Sequence, residues 1–329
     1  MKYDFVAIGD TTTDAFIRIK DASVNCDINR EHCKICLNFG DKVPYESVTV
    51  IPAVGNSPNA AVSAARLGLK SALVANIGKD MQGQECLDAL AKQGVSAEYI
   101  KAHPGKKTNY HYVLWYEDDR TILIKHESFN YSLPKIDPPG WMYLSSLGEN
   151  AVAFHDEIEK YLKNNPQVNL AFQPGTFQMK LGIKNLAGIY ARTKVFFCNK
   201  EEAERILSLP FSDIKVLLRG IRALGPKIVV ITDGPLGAYA YDENDKMWKM
   251  PIYPDPKPPF ERTGAGDAFS STFTVALALG LSVTDALLWG PVNSMSVVQQ
   301  IGAQAGLLNR PELEKLLADA PDYYHPEAI

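Results

Sequence analysis

Between residues 261 and 269 the chain reads Glu261-Arg262-Thr263-Gly264-Ala265-Gly266-Asp267-Ala268-Phe269, a glycine turn with an acid at its end. The apolar run that follows, Ala268 to Leu281, predicts a buried helix. The prolines of Lys257-Pro258-Pro259-Phe260 cannot lie inside that helix, so the turn feeds its first residues. A helix N-terminus leaves about four backbone N–H groups unpaired and carries partial positive charge. The turn is therefore suited to hold a phosphoryl group, with Asp267 beside it.

An acid at this place can accept the proton of a hydroxyl group while the hydroxyl attacks phosphorus. A short Gly-x-Gly-Asp string is weak evidence when it stands alone, because a plain glycine turn with an acidic helix cap has the same residues. The choice between the two interpretations depends on the rest of the chain.

The composition describes an ordinary globular protein of 329 residues, with 46% hydrophobic and 22% charged residues. The net charge is -4 and there is no dense lysine or arginine cluster, which argues against nucleic acid or an anionic membrane as the main partner. The first nine residues hold only a short apolar run with an acid inside it, which fits neither a signal peptide nor a membrane span. We expect a cytoplasmic protein.

The cysteines allow two interpretations. They are five, an odd number that argues for reduced thiols and against a disulfide framework: Cys26, Cys33, Cys36, Cys86 and Cys198. Cys33-x2-Cys36 has the spacing of a zinc hook, and Cys26 with His32 would complete four ligands. Zinc binding and free thiols both stay open.

The quoted string resembles the signature Asp-Thr-x-Gly-Ala-Gly-Asp of the PfkB/ribokinase family of carbohydrate kinases. A second string, Gly55 to Gly68, resembles that family's Gly-Gly-x-x-x-Asn-x-Ala motif followed by Ala-Arg-Leu-Gly. Ser57 as N-cap and Pro58 at the first helical position predict a helix there. The chain departs from the family at Val54, where a glycine is usual, at Asn56, where ribokinases have lysine, and at Glu261, where aspartate is usual.

Alternating strand and helix patterns predict an α/β protein. The resemblance, which runs from Gly9 to about Gly302, implies a doubly wound, mostly parallel sheet flanked by helices, as in ribokinase-like proteins. It also implies a small β-sheet lid, from about residues 15–52 and 107–127, within one domain of residues 1–329. In this family the lids commonly pair across a dimer, so a homodimer is expected.

The resemblance also implies the roles of individual residues. The catalytic set would be the base Asp267 with an anion hole formed by Gly264, Ala265 and Gly266. The substrate-binding set would be Asp14, Gly55, Asn56 and Asn59. The contacts to ATP would be Asn199, Thr232, Gly234, Gly237, Asn293 and Gly302. Glu202 would hold Mg²⁺, directly or through water. Potassium activation is also implied, since the family often has a monovalent cation site near the anion hole.

The implied reaction moves the γ-phosphoryl group of ATP to a primary hydroxyl of a sugar or sugar-like alcohol. A nucleoside kinase is one alternative, in which Tyr110, Tyr112, Trp115 and Tyr116 would stack a base. A phosphosugar kinase is another, for which Lys107, Arg120 and Lys125 are available. A non-catalytic protein that senses a sugar or a nucleotide is the third. The residues leave the choice of phosphoryl acceptor open.

Overall fold

The structure is a computed structural model that describes residues 2–26, 33–117 and 119–329. The strands in chain order are β1 (Phe5–Ile8), β2 (Thr12–Ile19), β3 (Ser23–Asn25), β4 (Lys34–Cys36), β5 (Tyr45–Val54), β6 (Ser71–Gly78), β7 (Ile100–His103), β8 (Asn109–Tyr116), β9 (Asp119–Leu123), β10 (Trp141–Leu144), β11 (Asn169–Phe172), β12 (Thr193–Asn199), β13 (Ile228–Thr232), β14 (Ala238–Tyr241), β15 (Met247–Met250) and β16 (Glu327–Ala328). The helices are α1 (Asn56–Arg66), α2 (Met81–Lys92), α3 (Val152–Asn164), α4 (Thr176–Leu181), α5 (Ala187–Arg192), α6 (Lys200–Leu207), α7 (Ile214–Ala223), α8 (Ala265–Ala278), α9 (Val283–Val297) and α10 (Arg310–Ala318). Short 3₁₀ turns lie at Ile183–Leu186 and Gly234–Leu236.

The main sheet runs in the order β16-β15-β14-β13-β12-β11-β10-β1-β6-β7. The pairs from β7 to β13 are parallel, and β14, β15 and β16 add an antiparallel edge. The order moves outward from β1 in both directions, so the sheet is doubly wound. In such sheets, ligands bind outside the carboxyl ends of the strands where the order reverses.

Both faces of the main sheet are buried, as a parallel sheet requires. In β1 the side chains of Phe5 and Ala7 join one core cluster, which also contains residues of α1, α8 and α9. Val6 and Ile8 join a second cluster on the other face, with residues of α3, α5 and α7. The predicted fold class is confirmed. In the described part of the chain, no helix is long and apolar enough to cross a bilayer.

A separate four-stranded sheet, in the order β5-β2-β8-β9, forms the lid sheet. Residues directly opposite each other on neighbouring strands share a face. The pairs Asp14–His111, Phe16–Val113 and Arg18–Trp115 therefore lie on one face. Phe16, Val113 and Trp115 are nearly fully buried, so we call this the inner face.

The outer face of the lid sheet is apolar and exposed. The pairs Ala15–Val50 and Ala15–Tyr112 lie on it, as do Ile17–Val48 and Tyr112–Leu123. Val48, Val50, Tyr112 and Leu123 are between 44% and 50% exposed. An exposed apolar patch of this kind is typical of an interaction surface.

The prediction that Cys26 and Cys33 carry reduced or zinc-binding thiols is wrong, because they form a disulfide. The antiparallel pairing of β3 with β4 sets Asn25 opposite Lys34 and so brings the next residues together, with 4.0 Å between the Cα atoms of Cys26 and Cys33. Cys36 remains a thiol and accepts a hydrogen bond from Asn25. His32 lies outside the described residues, and within them no group of three or more potential ligands could hold a metal ion.

The disulfide predicts the thiol count of the chain. Denatured without reductant, the protein should titrate with three thiols, those of Cys36, Cys86 and Cys198, and after reduction with five. A chromogenic thiol assay in guanidinium measures both numbers. The double variant Cys26→Ser/Cys33→Ser is the control and should give three thiols under both conditions. Five thiols in the unreduced wild type would contradict the pairing.

Candidate active site

Helix α8 starts within the glycine turn, residues 263–266, and the residue at its N-cap has to be a glycine. Gly264 is the N-cap of α8, with φ +81° in the left-handed region. A Cβ atom on Gly264 would also overlap the side chain of Ala303. Helix α8 begins at Ala265, three residues before the predicted start. The N–H groups of Gly266 and Asp267 therefore belong to the first turn and have no acceptor within the helix.

Asp267 is held by two side-chain amides. Asn59 donates from Nδ2 to Oδ2 at 2.8 Å, and Gln173 donates from Nε2 to Oδ1 at 3.0 Å. Burial raises the pKa of Asp267, while the hydrogen bonds from Asn59 and Gln173 act in the opposite direction. Both carboxylate oxygens are thus bonded, and the group is fixed in orientation at the positive end of α8.

The two amides are themselves fixed by further contacts. Asn59 Oδ1 accepts a hydrogen bond from Gln304 Nε2, which also bonds the carbonyl of Ala53. Gln173 Oε1 accepts one from the hydroxyl of the fully buried Tyr143. Sequence reasoning placed Asn59 on the substrate, whereas its amide nitrogen bonds Asp267. It missed Gln173 and Gln304, although Gln173 directly follows strand β11, and the carboxyl end of a parallel strand is a usual position for a site residue.

The start of α1 lies beside the end of β1. Gly55 is the N-cap of α1 with φ +123°, and a Cβ atom on it would press on the carbonyl oxygen of Asp10. Helix α1 begins at Asn56, so the predicted N-cap at Ser57 is wrong. The hydroxyl of Ser57 bonds the carbonyl of Ile8 instead and ties the helix to β1. Asn56 and Asn59 are one helical turn apart, so they share an edge of α1.

Two carboxylates and two imidazoles form what we call the Asp–His cluster: Asp10, Asp14, His111 and His126. His111 Nδ1 lies 3.3 Å from Asp14 Oδ1, and His126 Nδ1 lies 3.4 Å from Asp10 Oδ2. The two imidazole rings are 5.2 Å apart between centroids. Sequence reasoning assigned Asp14 to the substrate but missed Asp10 and His126, because no motif links them.

Tyr131 and Phe177 complete the surroundings of the Asp–His cluster. The hydroxyl of Tyr131 donates to both oxygens of Asp10, at 2.8 and 3.0 Å. The ring of Phe177 meets His126 edge-on with 5.9 Å between centroids. Phe177 lies four residues after Gln173, the residue that bonds Asp267, so one segment borders both parts of the site.

The inner face of the lid sheet also reaches the glycine turn. Arg120 Nε lies 3.4 Å from Glu261 Oε1, and the carboxylate of Glu261 is only 2% exposed. The same oxygen accepts hydrogen bonds from the N–H and the hydroxyl of Thr263. The ring of Trp115 packs edge-on against Phe260, with 5.1 Å between centroids. The lid sheet thus contacts Phe260 and Glu261, which lie just before the glycine turn.

The predicted metal ligand Glu202 caps α6 together with Asn199. Glu202 Oε2 accepts the N–H of Asn199, and Asn199 Oδ1 accepts the N–H of Glu202. Burial raises the pKa of Glu202, the bond from Asn199 opposes this, and the negative charge of Asp267 raises the pKa further. A bound cation reduces the repulsion between two carboxylates that interact in this way. Carboxylate oxygens are the type of ligand that magnesium prefers.

The predicted nucleotide residues lie on neighbouring strands. Asn199 ends β12 and pairs with Thr232, which ends β13, so both stand at the carboxyl edge of the sheet. The turn after Thr232 begins at Gly234, and at Gly237 a Cβ atom would overlap the carbonyl of Met250. Lys200 Nζ lies 3.5 Å from Asp233 Oδ2 across this edge, a contact that sequence reasoning missed.

Asn293 and Gly302 have structural partners. Asn293 is fully buried, donates to the hydroxyl of Thr272 and accepts the N–H of Leu308, so both ends of its amide are used inside the protein. Gly302 has φ +78°, and a Cβ atom there would overlap the side chain of Ile51 from the lid sheet. Gly302 therefore leaves room for the lid sheet to pack.

Comparison with known proteins identifies the family. The model described as pfkB family carbohydrate kinase matches residues 22–310. The ribokinase of Bacillus subtilis is 27% identical over 288 residues, which cover 85% of this chain and 92% of that protein. The nucleoside kinase of Methanothermobacter thermautotrophicus is 23% identical, with 79% of this chain and 83% of that protein covered.

Among solved structures, the Arabidopsis thaliana ribokinase complexed with ribose and ATP has the same fold. It superposes with a TM-score of 0.79 at 20% sequence identity, over 96% of this chain and 99% of that chain. The family match spans most of the sequence, including the glycine turn and Asp267. The chain belongs to the pfkB family of carbohydrate kinases and is an ATP-dependent phosphotransferase with an alcohol group as acceptor.

Proposed function

We propose that this chain transfers the γ-phosphoryl group of ATP to a primary hydroxyl of a sugar-like alcohol, with Asp267 as the base. The observation that carries the proposal is the position of Asp267. Its carboxylate is oriented by Asn59 and Gln173 in the first turn of α8, where the helix N-terminus favours negative charge. No motif alone would distinguish this arrangement from a structural helix cap.

The chemistry follows from the geometry of the protein groups. Deprotonated Asp267 accepts the proton of the attacking hydroxyl group. The N–H groups of Gly264, Ala265 and Gly266 stabilise the negative charge that gathers on the transferred phosphoryl oxygens, and that of Ala265 leaves its 3.5 Å bond to the carbonyl of Arg262 to do so. Asp14, Gly55 and Asn56 bind the phosphoryl acceptor, and Asn59 positions the base. The lid sheet keeps water from competing for the phosphoryl group.

On the nucleotide side, Asn199, Thr232, Gly234 and Gly237 line the ATP site, and Glu202 holds Mg²⁺ directly or through water. The metal ion, when bound, neutralises charge on the triphosphate. Asn293 and Gly302 complete the proposed ATP contacts. The amide of Asn293 is also bonded within the protein, and Gly302 also leaves room for the lid sheet. A potassium site remains a proposal for Glu261 Oε2, a buried oxygen without a hydrogen-bond partner among the described residues.

The alternative phosphoryl acceptors find less support. Tyr110 and Tyr112, offered as base-stacking residues, alternate with His111 along β8 and so point away from the inner face. Lys107 and Lys125, offered for a phosphosugar, line a surface depression together with those tyrosines. Arg120 is paired with Glu261. A non-catalytic sensor would have no need of an oriented Asp267.

A homodimer through the lid sheet is part of the proposal. The support is the exposed apolar outer face that contains Val48, Val50, Tyr112 and Leu123. A cytoplasmic location stays a prediction from the sequence. The disulfide between Cys26 and Cys33 does not favour it, because such bonds are rare in reducing compartments.

The role of the base predicts the effect of Asp267→Asn. The amide keeps the shape but cannot take a proton, so kcat should fall by roughly 10²–10⁴-fold. Calorimetry should show unchanged affinity for a nonhydrolysable ATP analogue. The control is Asp213→Asn, at the N-cap of α7 away from the site, which should keep the wild-type rate. Near-normal turnover by the Asp267 variant would refute the assignment.

The hydrogen bond from Gln173 to Asp267 predicts how the pH dependence of kcat/KM changes when Gln173 is replaced. The reaction needs ionised Asp267, so kcat/KM should fall as the pH drops through its pKa, which burial places above the usual aspartate value of about 4. Gln173→Met removes a hydrogen bond that lowers this pKa, so the acid limb should move to higher pH. Gln84→Met is the matched control, since it removes an exposed amide–carboxylate bond to Asp88. An unmoved acid limb in the Gln173 variant is the result that would count against this role.

The dimer predicts the effect of a charge on the outer face. Val50→Asp should convert a dimer into a monomer in sedimentation velocity, because the buried aspartate would lack a partner. Val24→Asp is the control, since Val24 is equally exposed, at 47%, but lies on the β3–β4 hairpin. A wild-type chain that sediments as a monomer would disprove the proposal.

A further inference from the structure

The Asp–His cluster contains buried polar atoms that lack partners. Asp14 Oδ1, His111 Nε2 and His126 Nδ1 are buried and make no hydrogen bond among the described residues. Asp14 Oδ1 and His126 Nδ1 have only the ion-pair contacts of 3.3 and 3.4 Å described above, and His111 Nε2 has neither kind of contact. The hydroxyl of the neighbouring Thr11 is in the same condition. Buried polar atoms are nearly always hydrogen-bonded in folded proteins, because leaving them unpaired costs free energy. Several such atoms at one place indicate a site that a ligand completes.

Two of these atoms, Asp14 Oδ1 and His111 Nε2, need hydrogen-bond donors. His111 Nδ1 faces the carboxylate of Asp14, and in the tautomer that carries its proton on Nδ1 the Nε2 atom is an acceptor. Carboxylate oxygens only accept. A ligand hydroxyl can donate to such atoms, whereas an ionised carboxylate or phosphate has no proton to offer. The cluster therefore matches several hydroxyl groups better than an anion.

The charge of the cluster leads to the same conclusion. Among the described residues, the ion pairs of Asp10 and Asp14 are formed with histidines only. Within the described part of the chain, no lysine or arginine forms an ion pair with either carboxylate, so the cluster has no permanently charged cation to offset the two acids. Asp267 adds a third carboxylate on the catalytic side. An anionic ligand would meet like charges at short range.

We infer that the Asp–His cluster selects an uncharged polyhydroxy compound as phosphoryl acceptor and rejects sugar acids and phosphosugars, with His111 and His126 as specificity-determining residues. The inference rests on the proposed function, because it names the substrate class of the same site. His111 Nε2 and Asp14 Oδ1 bind neighbouring hydroxyl groups. Tyr131 holds Asp10 in place, and Asp10 in turn orients His126.

The direct test compares matched pairs of phosphoryl acceptors. Five- and six-carbon aldoses and alditols are assayed with ATP and the wild-type enzyme, each beside the sugar acid of the same carbon number and beside its monophosphate with a free primary hydroxyl. The neutral member should exceed its charged partners in kcat/KM by roughly 100-fold or more, since the site rejects a ligand that leaves its buried polar groups unpaired.

Two variants test the named residues. Asp10→Asn keeps an oxygen for the hydroxyl of Tyr131 but removes one negative charge, so the preference for the neutral acceptor should narrow by about tenfold. Asp4→Asn, whose carboxylate bonds the N–H of Lys70 far from the cluster, should leave the preference unchanged. His111→Leu should raise KM for the neutral acceptor at least tenfold with little change in kcat, and His111→Gln should restore part of the loss.

The outcomes separate this inference from the proposed function. A sugar acid or phosphosugar with kcat/KM within tenfold of its neutral partner, or above it, overturns the inference and leaves the kinase assignment intact. If no member of the panel is phosphorylated, the proposed function itself fails. If a variant does not fold, the wild-type ratios alone decide. If the Asp10→Asn variant keeps the wild-type preference for neutral acceptors, the cluster does not set that preference and the inference is overturned.

Discussion

The two hydrogen bonds that fix the Asp267 carboxylate are the constraint on which the rest of the structure depends. They come from Asn59 on α1 and from Gln173 at the end of β11, so they can form only if both elements meet the first turn of α8. The first turn of α8 also requires a glycine at position 264, because only glycine fits both the left-handed conformation and the close contact with Ala303. A carboxylate with both oxygens bonded is oriented before any ligand arrives, which lowers the cost of ordering it during the reaction.

The lid sheet encloses the site that contains this oriented carboxylate. Its inner face carries Asp14 and His111 at one end and contacts Phe260 and Glu261 at the other, so one rigid sheet spans from the Asp–His cluster to the glycine turn. A buried ion pair such as Arg120–Glu261 is weak evidence for stability, because the cost of removing charges from water offsets their attraction. Its value here is geometric, since Glu261 also binds Thr263 and so couples the lid sheet to the turn.

The sequence predicted those parts of the site that depend on local structure. The turn at Gly264 and the acid after it were predictable, because glycines, caps and apolar runs specify their own neighbourhood. Gln173, Asp10 and His126 were not, since their roles come from partners that are distant in the sequence, such as Asp267 for Gln173, 94 residues away, and Tyr131 for Asp10, 121 residues away. The same reason explains Cys26 and Cys33, which the odd cysteine count assigned to thiols.

The most direct measurement is a crystal structure of the Asp267→Asn enzyme with a nonhydrolysable ATP analogue and the phosphoryl acceptor found by the screen. The account predicts that the reacting hydroxyl lies within hydrogen-bond distance of the side chain at position 267, about 2.6–3.2 Å, and in line with the γ-phosphorus. It also predicts that the γ-phosphate contacts the N–H groups of the glycine turn. A hydroxyl bound to Asp10 or another acid and remote from residue 267, or a γ-phosphate away from the turn, would contradict it.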